Sequence, residues 1–130
     1  VNVGCVPKKV MYSAAHVADT LRHDASHYGF SGGADVAKNF DWAKLKKARD
    51  AYVLRLNGIY ANGLKSSGVD VFKGEATFVD GHTILYKANG DEGTKVTANK
   101  ILIATGGRPH FPPGTGIEEH AISSDGFFEL

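Results

Sequence analysis

Cys5 is the only thiol in the chain, and its neighbours decide what it can do. It stands between Gly4 and Val6-Pro7, directly before a stretch of helical character. The free N–H groups of that helix and the nearby cations Lys8 and Lys9 favour a thiolate, the nucleophilic form of the side chain. A lone thiol is otherwise most often a small buried apolar residue. Lys8 follows Cys5 by one helical turn and shares its face; a solvated surface lysine is the plainer alternative. Farther along, Thr105-Gly106-Gly107 closes an apolar run with glycines that let the backbone turn tightly and approach a bound group. Tyr52 and Tyr60 fall on one stripe of a second helix, with Ile59 beside Tyr60, and a tyrosine pair on an apolar face is usually core. His23 and His27 have i,i+4 spacing but no third ligand with the same support, so no metal site is expected. Gly114-x-Gly116 lacks both a third glycine and a preceding strand, and is no dinucleotide fingerprint.

These residues need elements to position them. Residues 6–25 read as a helix: Pro7 suits the first turn, and Val10, Ala14, Val17 and Leu21 recur at helical spacing. A Gly-rich polar break covers residues 29–39. Asp41 is the expected N-cap of a second helix, with Leu45, Ala48, Tyr52, Leu56, Ile59 and Tyr60 on one stripe and Lys44, Lys46, Lys47, Arg49 and Arg55 mostly facing away. Running to Ser67, it would be about 40 Å long. After Gly68 the period changes to that of strands, at residues 69–73, 76–79 and 83–86, with Asp80-Gly81 as a hairpin signal, Asn89-Gly90 as a further turn and 95–97 as a short strand. Residues 100–104 are almost wholly apolar, the pattern of a parallel strand covered on both faces. The expected fold class is α/β, part of a Rossmann-like domain with two long helices, a small antiparallel meander and a parallel core strand of a sheet whose other strands lie outside this chain. No repeat, low-complexity tract or clean domain boundary is visible.

Composition narrows the function. With 42% hydrophobic and 22% charged residues the chain lies far from the disordered regime. A net charge of +1 provides no field for nucleic acid or an acidic membrane surface. No apolar run approaches the roughly 20 residues that span a bilayer. A single cysteine excludes an internal disulfide framework and suits a reducing compartment, with the cytoplasm as the expected location and a mitochondrial or plastid form as the alternative.

Four segments, in order, resemble the pyridine nucleotide-disulfide oxidoreductases. Val1-Asn2-Val3-Gly4-Cys5-Val6-Pro7-Lys8-Lys9 is similar to their redox-active stretch, in which Cys-x-x-x-x-Cys-x-Pro opens a helix under a flavin. The second segment is Arg49-Asp50-Ala51-Tyr52-Val53 with Arg55-Leu56-Asn57-Gly58-Ile59-Tyr60. The third, residues 100–109 through Thr105-Gly106-Gly107, resembles the strand and turn at the flavin nucleotide, and the fourth is Ser124-Asp125-Gly126-Phe127-Phe128. The resemblance implies part of a Rossmann-like FAD-binding domain and an FAD-dependent, NADPH-using disulfide reductase. Cys5 matches the cysteine that lies against the flavin and forms a thiolate charge-transfer complex with it. The cysteine that attacks substrate would immediately precede Val1. Splitting the roles is sensible, since the outer sulfur needs access and the inner one electronic contact with the ring. Lys8 matches the lysine near the flavin's reactive nitrogen.

The same resemblance implies cofactor contacts for Ala76, within Gly74-Glu75-Ala76 at the adenine end of FAD, and for Thr105 and Gly106. Tyr60, Ile59 and Tyr52 are implied at the substrate cleft, with glutathione disulfide as the substrate. A polar residue usual three positions beyond the tyrosine is Gly63 here, with Asn62 as its neighbour. Lys8-Lys9 departs from the Ser-Lys of the branches acting on lipoamide and mercuric ion. Thioredoxin- and trypanothione-reducing branches share much of the opening motif, and a non-catalytic FAD-fold binding module is the alternative from another class. Beginning at Val1 without an initiator Met, residues 1–130 are expected to be an internal piece of a homodimeric enzyme. The FAD-phosphate Gly-rich loop, the NADPH domain, the dimerisation domain and the general-acid histidine would lie outside it, and the piece alone is expected to be inactive.

Overall fold

The computed structural model describes every residue except Asn89 and Asp91, so the expected Asn89-Gly90 turn lies outside the described residues. Its chain order is helix α1 (Cys5–His23), a 3-10 turn (Ala25–Tyr28), α2 (Gly33–Lys38), α3 (Trp42–Ser66), strands β1 (Glu75–Phe78), β2 (Thr83–Lys87) and β3 (Thr94–Thr97), then the short helices α4 (Ile117–His120) and α5 (Ser124–Phe127). Two compact units emerge, Val1–Ala61 with Pro109–Leu130, and Asn62–Arg108. No composition shift marks that division.

In the first unit α1 turns inward the line Pro7, Met11, Ala14, Ala18 and Leu21, the first two buried and the others partly covered, spaced alternately by four and three residues as one helical face requires. Val17, expected on that face, points outward. The Gly-rich break is not irregular throughout. Ala25 and Ala37 are buried in the 3-10 turn and in α2, which packs on α1, so two small apolar residues suffice to fold the segment back. His27 lies in the 3-10 turn rather than on the helix of His23, which breaks the expected i,i+4 relation.

α3 starts where expected: the Asp41 carboxylate accepts from the Lys44 N–H at 3.0 Å, satisfying one of the free donors of the first turn. Its buried edge is rotated from the expected stripe. Leu45, Lys46, Val53, Leu56 and Asn57 are partly covered and Arg49 is only 2% exposed, whereas Ala48, Tyr52, Ile59 and Tyr60 are exposed. Arg49 therefore faces inward, contrary to the outward-facing expectation.

The second unit is an antiparallel meander in the order β1-β2-β3. Glu75 sits opposite Lys87 and Phe78 opposite Ile84; Thr83 then pairs with Thr97 and Tyr86 with Thr94. The β1–β2 hairpin falls at the expected Asp80-Gly81, closed by the Val79 N–H to Thr83 carbonyl bond (2.9 Å) and by the Asp80 carboxylate accepting from the His82 N–H (2.8 Å). Residues 69–73 form no strand. Glu75 already pairs with the last residue of β2, so the residues before Gly74 have no strand opposite them. Gly74 lies so close to the Lys87 carbonyl that no side chain fits there.

Residues 100–104 form no strand here, so the expected parallel core strand is not confirmed. Leu102 and Ile103 are 89% and 68% exposed. A parallel strand exists only through its neighbours' hydrogen bonds, and among the described residues no strand pairs with this run.

Candidate active site

Cys5 is the first residue of α1 and its thiol is free and exposed. Gly4 provides no side-chain cap, so the N–H groups of the first turn are left to whatever binds there. Pro7 is fully buried between two exposed residues, Cys5 and Lys8. It anchors the first turn, and the thiol and the lysine both reach outward. Lys8 also lines an apolar hollow of about 320 Å³, with Met11, Tyr12, Ala15, Trp42 and Phe127 as its other walls.

The segment before Cys5 is tied to α3 by the Asn57 side-chain amide, which donates to the Asn2 side-chain oxygen at 2.8 Å. Tyr60 lies one turn beyond Asn57. Tyr60, Ile59 and Tyr52 are 57%, 50% and 41% exposed, and the Arg55 guanidinium carbon sits 5.2 Å from the centre of the Tyr52 ring, within cation–π range. Cys5, Lys8 and these three residues thus belong to the same unit.

Ala76, Thr105 and Gly106 belong to the second unit. Ala76 and Thr105 line one apolar hollow of about 120 Å³, together with Phe78, Ile84 and residues 101–104. Gly106, just outside it, has φ 69°, a left-handed conformation that suits glycine and makes the turn after the apolar run.

Arg49 is the residue that sequence reasoning missed. Its Nε and Nη2 donate to the Asp50 Oδ1 at 2.9 and 2.7 Å, Nη2 also to the Phe128 carbonyl at 2.6 Å, and Nη1 to the Met11 sulfur at 3.3 Å. Lys46 joins from the preceding turn, 3.4 Å from the Phe128 carbonyl and 3.6 Å from the Asp50 Oδ2. The hydrogen bond from Arg49, against the opposing effect of burial and with help from the charges of Arg49 and Lys46, holds the Asp50 carboxyl below the usual aspartate range. A helical register with Lys46 and Val53 was the available signal, but a cation on a helix reads as solvated by default.

Among the described residues no group of three or more His, Cys, Asp or Glu side chains is arranged to hold a metal ion, and no helix is long and apolar enough to cross a membrane.

Residues 1–128 match the family described as pyridine nucleotide-disulphide oxidoreductase. Glutathione reductase of Yarrowia lipolytica (strain CLIB 122 / E 150) is 47% identical over 143 aligned positions, which take in 100% of this chain and 28% of that protein. The chain therefore spans little more than a quarter of the length of this curated relative. Because the family match runs through the Cys5 helix, α3, the meander and the Thr105-Gly106 turn, the chain belongs to the pyridine nucleotide-disulphide oxidoreductase family.

Proposed function

We propose that this chain is the partial FAD-binding domain of a homodimeric, NADPH-dependent glutathione-disulfide reductase. The observation that carries the reading is the exposed Cys5 thiol at the start of α1 with Lys8 one turn on, in a chain 47% identical to a glutathione reductase. FAD suits the residues present. A thiol and a cation flank a buried proline on the first turn of α1, and the small, apolar hollow of Ala76 and Thr105 precedes a left-handed Gly106 that leaves backbone accessible. Cys5, Lys8, Ala76, Thr105 and Gly106 would hold it. When bound, FAD supplies the two-electron relay between NADPH, held by a domain outside this chain, and the dithiol.

The residues of this chain then act by thiol–disulfide exchange. A cysteine expected before Val1 attacks one sulfur of glutathione disulfide, releasing one glutathione thiolate and forming a mixed disulfide. The Cys5 thiolate attacks the cysteine sulfur of that bond, releasing the second glutathione thiolate and closing the enzyme disulfide. Protons from outside this chain convert both thiolates to thiols. The N–H groups of the first turn of α1 stabilise Cys5 as thiolate. Lys8 places positive charge on the same face, and Tyr60 with Ile59 and Tyr52 form an aromatic and apolar wall for the substrate backbone. Arg55, stacked on Tyr52, and the absence of a carboxylate beside Tyr60 favour an anionic disulfide over a cationic one. The proposed location is the cytoplasm, which microscopy of the tagged full-length protein tests.

The deciding experiment is a steady-state assay of the full-length protein on glutathione disulfide, trypanothione disulfide and oxidised thioredoxin, with Cys5→Ser alongside. Glutathione disulfide should be turned over far faster than the others, and Cys5→Ser should abolish activity and the long-wavelength thiolate–flavin absorbance. Preference for either alternative substrate, or survival of that band in Cys5→Ser, would overturn the reading.

A further inference from the structure

Arg49 is a buried cation with all three guanidinium nitrogens hydrogen-bonded, and its contacts converge on the walls of the hollow that Lys8 lines. Nη1 meets the Met11 sulfur at 3.3 Å, and Nη2 holds the Phe128 carbonyl at 2.6 Å. Met11 and Phe127, the neighbour of Phe128, line that hollow with Lys8 and Trp42. Phe127 and Phe128 also pack edge to face, with ring centres 5.7 Å apart. Met11 follows Lys8 by one turn of α1, so the two share a helix face and line the same hollow, and Arg49 holds the Met11 sulfur there.

We propose that Arg49 is a positioning residue for Lys8, fixing through Met11 and Phe128 the place of the lysine's ammonium at the redox site. The inference rests on the reading of Lys8 as the cation beside the flavin. A planar guanidinium can serve Asp50, a backbone carbonyl and a sulfur at once, each from a different edge. Lys46, already near the same carbonyl and carboxylate, is a single flexible ammonium and cannot take over the fork. Loss of Arg49 leaves the Phe128 carbonyl without its shortest donor and Met11 without its polar contact. Two walls of the hollow loosen together, and the Lys8 stem gains rotamers that take its charge away from the face it shares with Cys5.

The test is a double-mutant cycle in the full-length, FAD-loaded protein, read as the two-electron flavin midpoint potential rather than as turnover. Arg49→Met and Lys8→Met should each move the potential in the negative direction, and the double variant should move it no further than Lys8→Met alone. Arg49→Lys should fall between wild type and Arg49→Met. A wild-type potential in Arg49→Met, or a double-variant shift equal to the sum of the single shifts, would overturn the proposal. If Arg49→Met does not retain FAD, the same cycle with Arg49→Lys decides between coupled and additive behaviour. A wild-type potential in Lys8→Met instead removes the underlying reading of Lys8, and this inference falls with it.

Discussion

The first unit closes around side chains: Pro7, Met11, Arg49 and Phe128 are buried, and charged hydrogen bonds join Arg49 to Met11 and to the Phe128 carbonyl. The second is ordered chiefly by its backbone: β1, β2 and β3 are paired in register, yet every side chain of β1 is exposed, and so are Leu102 and Ile103. Fully burying a leucine or isoleucine contributes roughly 1.5–3 kcal/mol relative to leaving it exposed. The most core-like run of the sequence, residues 100–104, is therefore left largely outside apolar burial here, whereas an arginine is buried. Hydrogen-bonded order and apolar burial are separate properties, and a region can have the first with little of the second.

Substitutions in this chain sharpen the contrast. The largest effect is expected from Met11→Ala, which empties part of the first unit's core and should cost about 2–5 kcal/mol in urea unfolding. A loss of only a few tenths would mean that the buried line along α1 does not hold the unit. In the second unit, Gly74→Ala should cost about 1–3 kcal/mol, because a Cβ there runs into the Lys87 carbonyl and the Tyr86 ring. Faster amide exchange across β1 and β2 should accompany it. Leu102→Ala should stay within about 0.5 kcal/mol, as for an ordinary surface position. A cost comparable to that of Met11→Ala would erase the difference between the units.

The smallest expected effect is a pH dependence. With its native pKa depressed by Arg49, Asp50 contributes stability that is fully present above the ordinary aspartate value, near pH ~4, and is lost as pH falls through the depressed one. Acidification through that window should destabilise the wild-type chain slightly more than Asp50→Asn. The side chain is half exposed, so solvent screening keeps the effect small. Equal acid sensitivity of the two proteins would show that the Arg49 hydrogen bond adds nothing to stability.

What the sequence made legible was local. Both long helices, the Asp41 cap, the Asp80-Gly81 hairpin and the three short strands depend on residues a few positions apart, and they fall within a residue or two of expectation. The expected strand at 100–104 is not confirmed because an apolar run specifies burial, while a parallel strand requires partners distant in sequence. Arg49 escaped because periodicity ranks residues by polarity. Only its distant partners, Met11 and the Phe128 carbonyl, reveal why a charge turns inward. For the site, the resemblance picked out Cys5 and Lys8, and the structure places both on the exposed side of one helical turn; the hollow beside Lys8 depends on Trp42 and Phe127, remote in sequence, and was invisible.

The hydrogen bond from Arg49 to the Phe128 carbonyl joins residues 79 positions apart, and the intervening chain contains the whole second unit. During synthesis at about 5–20 residues per second, roughly 4–16 s separate the emergence of the two partners. The meander, contiguous in sequence, is complete before its older neighbours can finish. For that interval the guanidinium has no Phe128 carbonyl, and the face of Met11 lacks its cover. Of the two units, the one whose synthesis begins earlier within this chain is thus the one that can be completed only later, and it bears Cys5.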